Sequence, residues 1–531
     1  MFASILALLQ DGDVVFDSVP FDRPDIDWHA AAPELVLLAV GATLTLIDAV
    51  FLERAKHLSA SLAGFGLLLA LIPIITLAVS GAASQPNAAN GARFVLSDVD
   101  GYVVDGYSLI LKALFIVIGY IVVLMSARYI SEGDYWESEY YGLLVTSILG
   151  MVVMSSARDL ITIFVALELL SIPAYLLAAW RKRDLRSNEA GLKYYLMGVF
   201  ASAVMLYGMS LVFGVTGTTS LAGIGVALED MIATGESIPI VSLGIIFVII
   251  GFAFKVSAVP FHSWAPDTYE GAPTPVTAFL AVASKAAGFV ALVNLVMVGF
   301  WHQGNVYQPL FWILAAASMT IGNLIALRQT NIVRLLAYSG IAQAGFMLAP
   351  LAVAGESAEV ADIAASAIVT YLVIYAAMNL GAFAVLMAVA RRTRTAEISS
   401  FSGLFQHSPV LAAIMTVFLA SLAGIPPLGG WFAKFQVFTA LVSAGTGWGY
   451  ALAGIAAVNT VLAFGYYGRL ASRMWVDDAP PQFAGRPISV PFALQAALGL
   501  TVAATLLFGI VPSTITHFTD IQLVSPLAFG G

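Results

Sequence analysis

Long apolar runs constrain this chain more than any other feature of its sequence. Runs of about 20 apolar residues recur along nearly its whole length, and each is long enough to cross a bilayer as a helix. With 60% hydrophobic and only 10% charged residues, the chain has too little polar surface for a water-soluble globule. The sequence therefore predicts an all-α polytopic membrane protein.

About fourteen transmembrane helices are predicted. They lie near 33–53, 58–80, 107–128, 140–156, 159–180, 190–214, 239–262, 275–299, 309–327, 332–354, 364–390, 409–444, 448–473 and 491–511. The span 409–444 is too long for one straight crossing and contains GIPPLGG, which predicts two half-helices around a break. Pro260 likewise interrupts the span that ends at His262. Such breaks are tolerated at membrane depth where protein or a wet cavity satisfies the freed backbone groups, so they predict an internal polar path.

Basic residues in the loops predict the orientation of the chain. Fifteen fall on one side: Arg54, Lys56, Arg128, Arg181, Lys182, Arg183, Arg186, Arg328, Arg334, Arg391, Arg392, Arg394, Arg469, Arg473 and Arg486. Only Arg23, Arg93 and Arg158 fall on the other. Because cytoplasmic loops carry the excess of lysine and arginine, both termini are predicted to lie outside. The acidic segment 1–32 lacks the features of a cleaved signal peptide, and the tail 512–531 is also expected outside.

Several kinds of chemistry are excluded by composition. With no cysteine, the chain has no thiolate for an iron–sulfur cluster or a structural zinc. Its six histidines are scattered, and it contains no phosphate-binding glycine-rich loop. A formal net charge of -9 argues against nucleic acid as a partner. We therefore expect no metal or cofactor in this chain, so that any redox chemistry belongs to other chains.

Five lysines fall inside the predicted helices: Lys112, Lys193, Lys255, Lys285 and Lys434. A charged side chain at the centre of a bilayer costs roughly 2.5 to 3.5 kcal/mol, so such residues are functional by default. Arginine keeps its proton in any protein environment, whereas a lysine in low-dielectric surroundings can release one. The buried acid Glu168 can serve as a countercharge. Together these residues are what a proton relay needs.

Structural alternatives exist for each lysine. Lys112 lies only a few residues into its helix, so we expect it to snorkel to the interface. Lys193 begins its helix after a basic loop, and snorkelling and proton transfer fit it equally well. The other three, Lys255, Lys285 and Lys434, are too far from helix ends to snorkel easily, and a fixed ion pair is their alternative.

Two further candidates also have a structural alternative. Glu168 could be a fixed partner of a lysine instead of a group that tunes one. His262 sits beside Trp264 near a helix end and could be an interfacial histidine without a role in proton transfer.

Two stretches carry a resemblance to a known family. The stretch FKVSAVPFHSWAPDTYEGAPTPVTAFLAVASK at 254–285 resembles the signature of the proton-translocating, antiporter-like membrane subunits of respiratory complex I. The stretch SNEAGLKYYLMGVFASAVMLYGMSLVFGVTG at 187–217 resembles the subunit N branch of that family. The resemblance extends over 107–473, and its 32-residue signature is highly specific.

The resemblance implies roles for particular residues. In that family a glutamate on the fifth helix pairs with a lysine on the broken seventh helix, and these positions match Glu168 and Lys255. A lysine on the eighth helix, matched by Lys285, connects the two halves, and a lysine or glutamate on the broken twelfth helix, matched by Lys434, ends the relay. The implied proton relay comprises Glu168, Lys193, Lys255, Lys285, Lys434 and His262.

The family also implies two inverted five-helix repeats with broken helices, a pattern of transporters. The first repeat would be 140–299, holding helices four to eight, and the second 309–473, holding helices nine to thirteen. The N-terminal helices 33–128 precede them, and helix fourteen at 491–511 follows.

Two features of the sequence indicate which subunit of this family the chain resembles. A lysine at 434 favours subunit N or L over subunit M, and the tail 512–531 is too short for the lateral helix of subunit L. The resemblance thus implies a proton-translocating subunit of a bacterial NADH-quinone oxidoreductase, located in the cell inner membrane. Implied partners are the other membrane-arm subunits, including further antiporter-like ones, and membrane lipids. NADH, FMN, iron–sulfur clusters and quinone are expected in partner subunits.

Two other functions stay open. Subunits of multi-subunit cation/proton antiporters and of membrane-bound hydrogenases share the central signature. A scaffold subunit that holds a complex together without moving protons is the third possibility. The chains that co-purify with this one would separate the three.

Overall fold

Helices account for most of the chain. The structure, a computed structural model, describes residues 26–51, 56–80, 93–96, 99–133, 137–234, 239–479, 487–521 and 523. The helices are α1 Ala32–Phe51, α2 Lys56–Val79, α3 Gly106–Ser131, α4 Glu137–Ser156, α5 Leu160–Ala178, α6 Leu185–Thr216, α7 Leu221–Ala233, α8 Pro239–Lys255, α9 Trp264–Gly271, α10 Thr274–Gly299, α11 Gly304–Ala326, α12 Ile332–Leu348, α13 Ala358–Thr393, α14 Leu404–His407, α15 Pro409–Ala423, α16 Gly429–Ser443, α17 Gly447–Val476, α18 Phe492–Ile510 and α19 Ser513–Thr519. Short 3-10 helices occupy Trp301–Gln303, Ala349–Ala352 and Ile398–Phe401.

The apolar spans predicted from the sequence coincide with helices. In the described parts of the chain, 11 helices are long and apolar enough to cross a membrane. Three shorter apolar helices, Ala32–Ile47, Pro239–Lys255 and Pro409–Ala423, occupy the other predicted spans. The all-α polytopic fold is therefore confirmed, whereas the count of fourteen crossings and the inverted repeats stay predictions. Residues 1–25 and 524–531 of the predicted outer segments lie outside the described residues, as do Arg23, Arg54 and Arg486.

The first predicted break lies between α8 and α9. Helix α8 ends at Lys255, and the chain becomes helical again at Trp264. Ser257 has a positive φ of 60°, and its N–H donates to the Phe254 carbonyl at 3.0 Å, which closes the helix end. Pro260 has no N–H with which to continue the helix. Lys255 therefore stands at a helix end inside the predicted span.

The second break separates α15 from α16, as predicted from GIPPLGG. Gly424, with a φ of 93°, ends α15 in a conformation that side chains other than glycine rarely adopt. Gly430 leaves no room for a Cβ against the Ser421 carbonyl, and its N–H donates to Ser421 Oγ at 2.9 Å. The two half-helices are thus held together at this pair of residues.

A small hairpin is the one β-sheet in the described residues. Strands β1 Arg93–Leu96 and β2 Val99–Val104 pair antiparallel. The Arg158 N–H donates to the Gly101 carbonyl at 2.8 Å, which ties the hairpin to the turn between α4 and α5. Short alternating segments such as this are easily missed beside long apolar runs.

Helices α10 and α13 form the centre of the bundle. Every residue in the most apolar window of α10 is buried, as is 94% of the corresponding window of α13, against 28% for α17. Helix α10 also contains two π-helical segments, Leu280–Ser284 and Leu295–Gly299. The first of these directly precedes Lys285, so this lysine is carried by the most enclosed helix of the fold.

Candidate functional site

A row of buried polar groups extends from Lys255 through Lys285 to Lys434, and Lys255 is its first member. Its side chain is enclosed by the bundle, with the residue only 3% exposed. The Nζ donates to Ser171 Oγ on α5 at 2.7 Å and to the Tyr194 hydroxyl on α6 at 3.3 Å. It also lies 5.7 Å from the centre of the Tyr194 ring. Neutral oxygens and an aromatic ring, instead of a carboxylate, therefore surround this ammonium group.

Glu168 lies close to Lys255 without touching it. It stands one helical turn before Ser171 on α5, and it interacts electrostatically with Lys255. No ion pair within 4.0 Å joins the two among the described residues, and Glu168 Oε1 is buried without a hydrogen-bond partner. Glu168 and Lys255 thus influence each other electrostatically without forming the expected ion pair.

Tyr194 connects Lys255 with the central helix. Its hydroxyl lies 3.5 Å from Ser284 Oγ, and Ser284 directly precedes Lys285 on α10. The ring stacks on Trp264 with centroids 4.5 Å apart and an interplanar angle of 9°, which fixes the direction of the hydroxyl. A hydroxyl can both donate and accept a hydrogen bond, so Tyr194 can pass a proton. Its role could not be expected from the sequence, because a tyrosine in an apolar helix has no distinguishing pattern.

Lys285 lies at the middle of the row. It is 2% exposed, and its Nζ donates to the Gly340 carbonyl on α12 at 2.7 Å. Gly340 leaves the space that this contact needs, since a Cβ there would lie 3.2 Å from the Lys285 Nζ and 3.0 Å from the Tyr375 hydroxyl. The Tyr375 hydroxyl beside it is buried without a hydrogen-bond partner among the described residues.

Lys434 lies at the far end of the row. It is 3% exposed, donates to the Ala423 carbonyl at 2.9 Å, and lies 4.8 Å from the centre of the Phe346 ring. Ala423 is the last residue of α15, so its carbonyl is one of those that the helix itself leaves unpaired. The break between α15 and α16 therefore supplies the acceptor for Lys434.

Side chains of α12, α13 and α17 fill the interval between Lys285 and Lys434. Gln343 Nε2 donates to the Leu422 carbonyl at 3.1 Å, one residue before the acceptor of Lys434. Hydrogen bonds then join Gln343 to Tyr371 and Tyr467, and Tyr467 to Ser339, which adjoins Gly340. The polar groups from one end of the row to the other are Lys255, Tyr194, Ser284, Lys285, Gly340, Ser339, Tyr467, Gln343, Leu422, Ala423 and Lys434.

His262 lies beside this row. It is half-buried after the break, and its ring faces Tyr338 at a centroid distance of 6.4 Å. Its Nδ1 is buried and has no hydrogen-bond partner in the described part of the chain. No hydrogen bond or ion pair of the structure joins it to a buried lysine. Its role in proton transfer stays a prediction.

Lys193 belongs to a different cluster. Its side chain is 42% exposed and forms ion pairs with Glu189 at 2.7 Å and Asp267 at 2.8 Å. Arg334 in turn contacts Asp267 at 2.9 Å and Glu270 at 3.0 Å. Burial alone would raise the pKa of Asp267, but hydrogen bonds from Lys193 and Arg334 outweigh it and hold the pKa below its usual range. The structure therefore does not bring Lys193 together with the buried lysines.

The expectation for Lys112 is wrong. Its side chain is fully buried among protein atoms instead of extending to an exposed helix end. The Nζ forms an ion pair with Glu34 Oε1 at 2.8 Å, and the Tyr102 hydroxyl donates to the same oxygen at 2.5 Å. Because α1 and the hairpin bring a carboxylate to the lysine, its charge is compensated inside the fold.

One protein family matches the part of the chain that contains Lys255, Lys285 and Lys434. A family model described as "NADH:quinone oxidoreductase/Mrp antiporter, TM" matches residues 157–460. Proteins named NADH-quinone oxidoreductase subunit N are similar over most of the chain. That of Trichlorobacter lovleyi is 37% identical over 93% of this chain and 96% of its own length. That of Heliobacterium modesticaldum is 41% identical over 80% and 86%, respectively.

Solved structures share the fold. A chain of respiratory complex I from Thermus thermophilus, solved with bound aureothin, has a TM-score of 0.73 and 29% identity, covering 91% of this chain and 98% of its own. A chain of the Mrp complex from Dietzia has a TM-score of 0.81 at 20% identity, covering 94% and 98%, respectively. The second similarity concerns the fold alone, because its identity is low.

Proposed function

This chain belongs to the NADH:quinone oxidoreductase/Mrp antiporter transmembrane family, and from that membership we propose that it is the proton-translocating subunit N of an NADH-quinone oxidoreductase. The identity of the named relatives supports subunit N over other members. Relatives with that name are 37% to 41% identical across most of the chain. The Mrp complex is similar in fold at only 20% identity, so fold does not separate the two functions.

The row from Lys255 to Lys434 is the observation that carries the proposed function. Three lysines, each at most 3% exposed, lie on α8, α10 and α16, with hydroxyls, amides and main-chain carbonyls between them. At Ser284–Lys285, Ser339–Gly340 and Leu422–Ala423 the row continues through neighbours in the chain instead of a hydrogen bond. Hydroxyls and amides can donate as well as accept, and a lysine can hold or release a proton. A row of arginines could not work in this way, since arginine keeps its proton.

The chemistry we propose begins at Glu168. In a low-dielectric interior, bringing Glu168 toward Lys255 stabilises the ammonium form, and separating them favours release of its proton. A movement imposed by a neighbouring subunit would thus send a proton from Lys255 by way of Tyr194 toward Lys285, and then to Lys434. Waters would bridge the places where polar atoms do not touch.

Other subunits would supply the energy. We propose that NADH, FMN, iron–sulfur clusters and quinone bind to partner chains, and that electron transfer there drives the movement of Glu168. The partners would be membrane-arm subunits, including further antiporter-like ones. The chain itself contributes only the movement of protons.

Purification of the intact complex tests this function. Mass spectrometry of the co-purifying chains should identify the redox subunits of an NADH-quinone oxidoreductase. In liposomes, the complex should acidify or alkalinise the lumen when NADH is oxidised by quinone, without a requirement for sodium. Sodium-dependent proton exchange by an assembly that does not oxidise NADH would instead establish a cation/proton antiporter. NADH oxidation with normal pumping after removal of this chain would establish a scaffold.

We further propose that both termini lie outside a bacterial inner membrane. A reporter fused after Gly531 should report the outer side, and one inserted at Arg392 should report the cytoplasm, because basic loop residues collect on the cytoplasmic side. Alkaline phosphatase and green fluorescent protein are suitable reporters, since each is active on one side only. A cytoplasmic position for Gly531 would contradict the predicted number of crossings.

Tyr194 offers a test of the path between Lys255 and Lys285. Tyr194→Phe keeps the stacking on Trp264 but removes the hydroxyl that contacts Lys255 and Ser284. Pumping should fall by roughly fivefold, the rate equivalent of one hydrogen bond of about 1 kcal/mol. Tyr195→Phe, a neighbouring tyrosine that is 48% exposed, is the matched control and should pump normally. Equal pumping by the two assembled variants would exclude the Tyr194 hydroxyl from the path.

A further inference from the structure

A shallow cavity, open to the surface, lies where three membrane helices end. Its volume is about 490 Å³, and its walls include Arg128 and Ser131 from the end of α3, Arg391 from the end of α13, and Ser489 and Phe492 around the start of α18. All three helices are apolar enough to span a membrane, so the cavity is placed at the boundary between the hydrocarbon and the headgroups. By the distribution of basic residues, this boundary is the cytoplasmic one.

Positive charge dominates the walls of this cavity. The Arg128 Nε contacts Glu132 Oε1 at 2.7 Å, and the Arg391 Nη2 contacts the same oxygen at 2.5 Å. Glu132 itself does not line the cavity, whereas both arginines do. Each guanidinium has five N–H donors, so most of them stay available for another acceptor. The two arginines and the one carboxylate have a net charge of +1. The guanidinium groups, held in place by Glu132, can bind an anion through their remaining N–H donors.

An apolar surface continues from the cavity along α18. Phe492 at the rim is 85% exposed, and Leu500 and Leu507 further along the helix are 50% and 46% exposed. Their spacing of eight and seven residues places the three on one face of the helix. A ligand that fits both parts has an anionic head and a long apolar tail.

We propose that this cavity binds the phosphate headgroup of an anionic phospholipid, with its acyl chains along the exposed face of α18. The guanidinium groups of Arg128 and Arg391 would bind the phosphate oxygens, and Ser131 and Ser489 would supply hydroxyl donors. The cytoplasmic leaflet is the source of such lipids, and basic pockets between membrane helices are suited to them. This site does not depend on the proton relay, since none of its residues belongs to the row.

Photo-crosslinking tests the site in the intact complex. We would reconstitute the complex in nanodiscs containing phosphatidylglycerol with a photoactivatable headgroup, and map the labelled peptides by mass spectrometry. Labelling should fall on the peptides around Arg128 and Ser489. Excess phosphatidylglycerol should suppress it, and phosphatidylcholine or inorganic phosphate should not. Suppression by inorganic phosphate would identify a free-anion site, and crosslinking of these peptides to another subunit would identify a protein contact. Either result would overturn the proposal.

Charge removal provides the second measurement. The double variant Arg128→Gln, Arg391→Gln should lose labelling by about tenfold, because basic residues at the surface attract anionic lipids. Arg183→Gln, an exposed arginine on the same predicted side but outside the cavity, should label as the wild type does. Assembly is checked by native gel, and the lipid competition in the wild type decides the question if the double variant does not assemble. Undiminished labelling of the assembled double variant would also overturn the proposal.

Discussion

Replacing Lys255 with methionine should lower NADH-driven proton pumping on the order of 100-fold, the lower end of what a positioned proton-transfer group contributes. Methionine is nearly as long as lysine and fits an apolar site, but it has no proton to donate to Ser171 or Tyr194. Proton uptake by liposomes that contain the purified complex measures the effect. A native gel of each preparation shows that the complex has assembled.

Arginine at the same position separates a proton carrier from a fixed charge. Lys255→Arg keeps the positive charge but cannot release a proton, so it should pump almost as poorly as Lys255→Met. The matched control is Lys182→Arg, because Lys182 is exposed in the loop before α6 and belongs to no part of the predicted relay. This control should pump close to the wild-type rate. Wild-type pumping by an assembled Lys255→Arg variant would show that the charge matters and the proton does not.

Loss of the Glu168 charge should have the second-largest effect. Glu168→Gln preserves the size of the side chain but removes the electrostatic interaction with Lys255, so pumping should fall by roughly tenfold, the equivalent of about 1.4 kcal/mol. Glu168→Asp keeps the charge on a shorter side chain and should retain part of the activity. The same liposome assay applies, with quinone reduction measured in parallel to report the coupling.

A second acidic residue controls for a general effect of charge. Glu189, with a side chain that is 63% exposed, also faces a lysine, and Glu189→Gln should leave pumping nearly unchanged. If Glu168→Gln pumps as well as Glu189→Gln, the movement of a negative charge beside Lys255 is not the step that drives the proton.

The sequence was sufficient to identify the lysines of the row, for a clear physical reason. An ammonium in an apolar span is costly, so Lys255, Lys285 and Lys434 stand out without any knowledge of the fold. Proline and glycine in two of the spans also predicted the helix breaks near Lys255 and Lys434, since these residues cannot sustain a helix. Both features are local, and local features can be read from a single chain.

Contacts between distant parts of the chain could not be predicted in this way. Glu34 and Lys112 lie 78 positions apart, and their ion pair arises only when the fold brings the first turn of α1 to the Lys112 side chain. Lys112 was therefore expected to snorkel, because its position near a helix start is compatible with both outcomes. The cluster of Lys193, Asp267 and Arg334 was missed for the same reason. Distance along the sequence does not tell which charged residue neutralises which.

The acceptors of Lys285 and Lys434 are main-chain carbonyls, those of Gly340 and Ala423. A main-chain carbonyl is present whatever side chain its residue carries. A point mutation therefore neither removes this acceptor nor creates a replacement for it. Genetic suppressor screens should therefore find compensating changes for Lys255, whose partners Ser171 and Tyr194 are side chains. They should find none that replaces the carbonyl of Gly340 or Ala423, although a side chain at position 340 would crowd the Lys285 Nζ. Two of the three lysines thus bind main-chain carbonyls, which no substitution replaces. Covariation between sequence positions should therefore not reveal these two contacts.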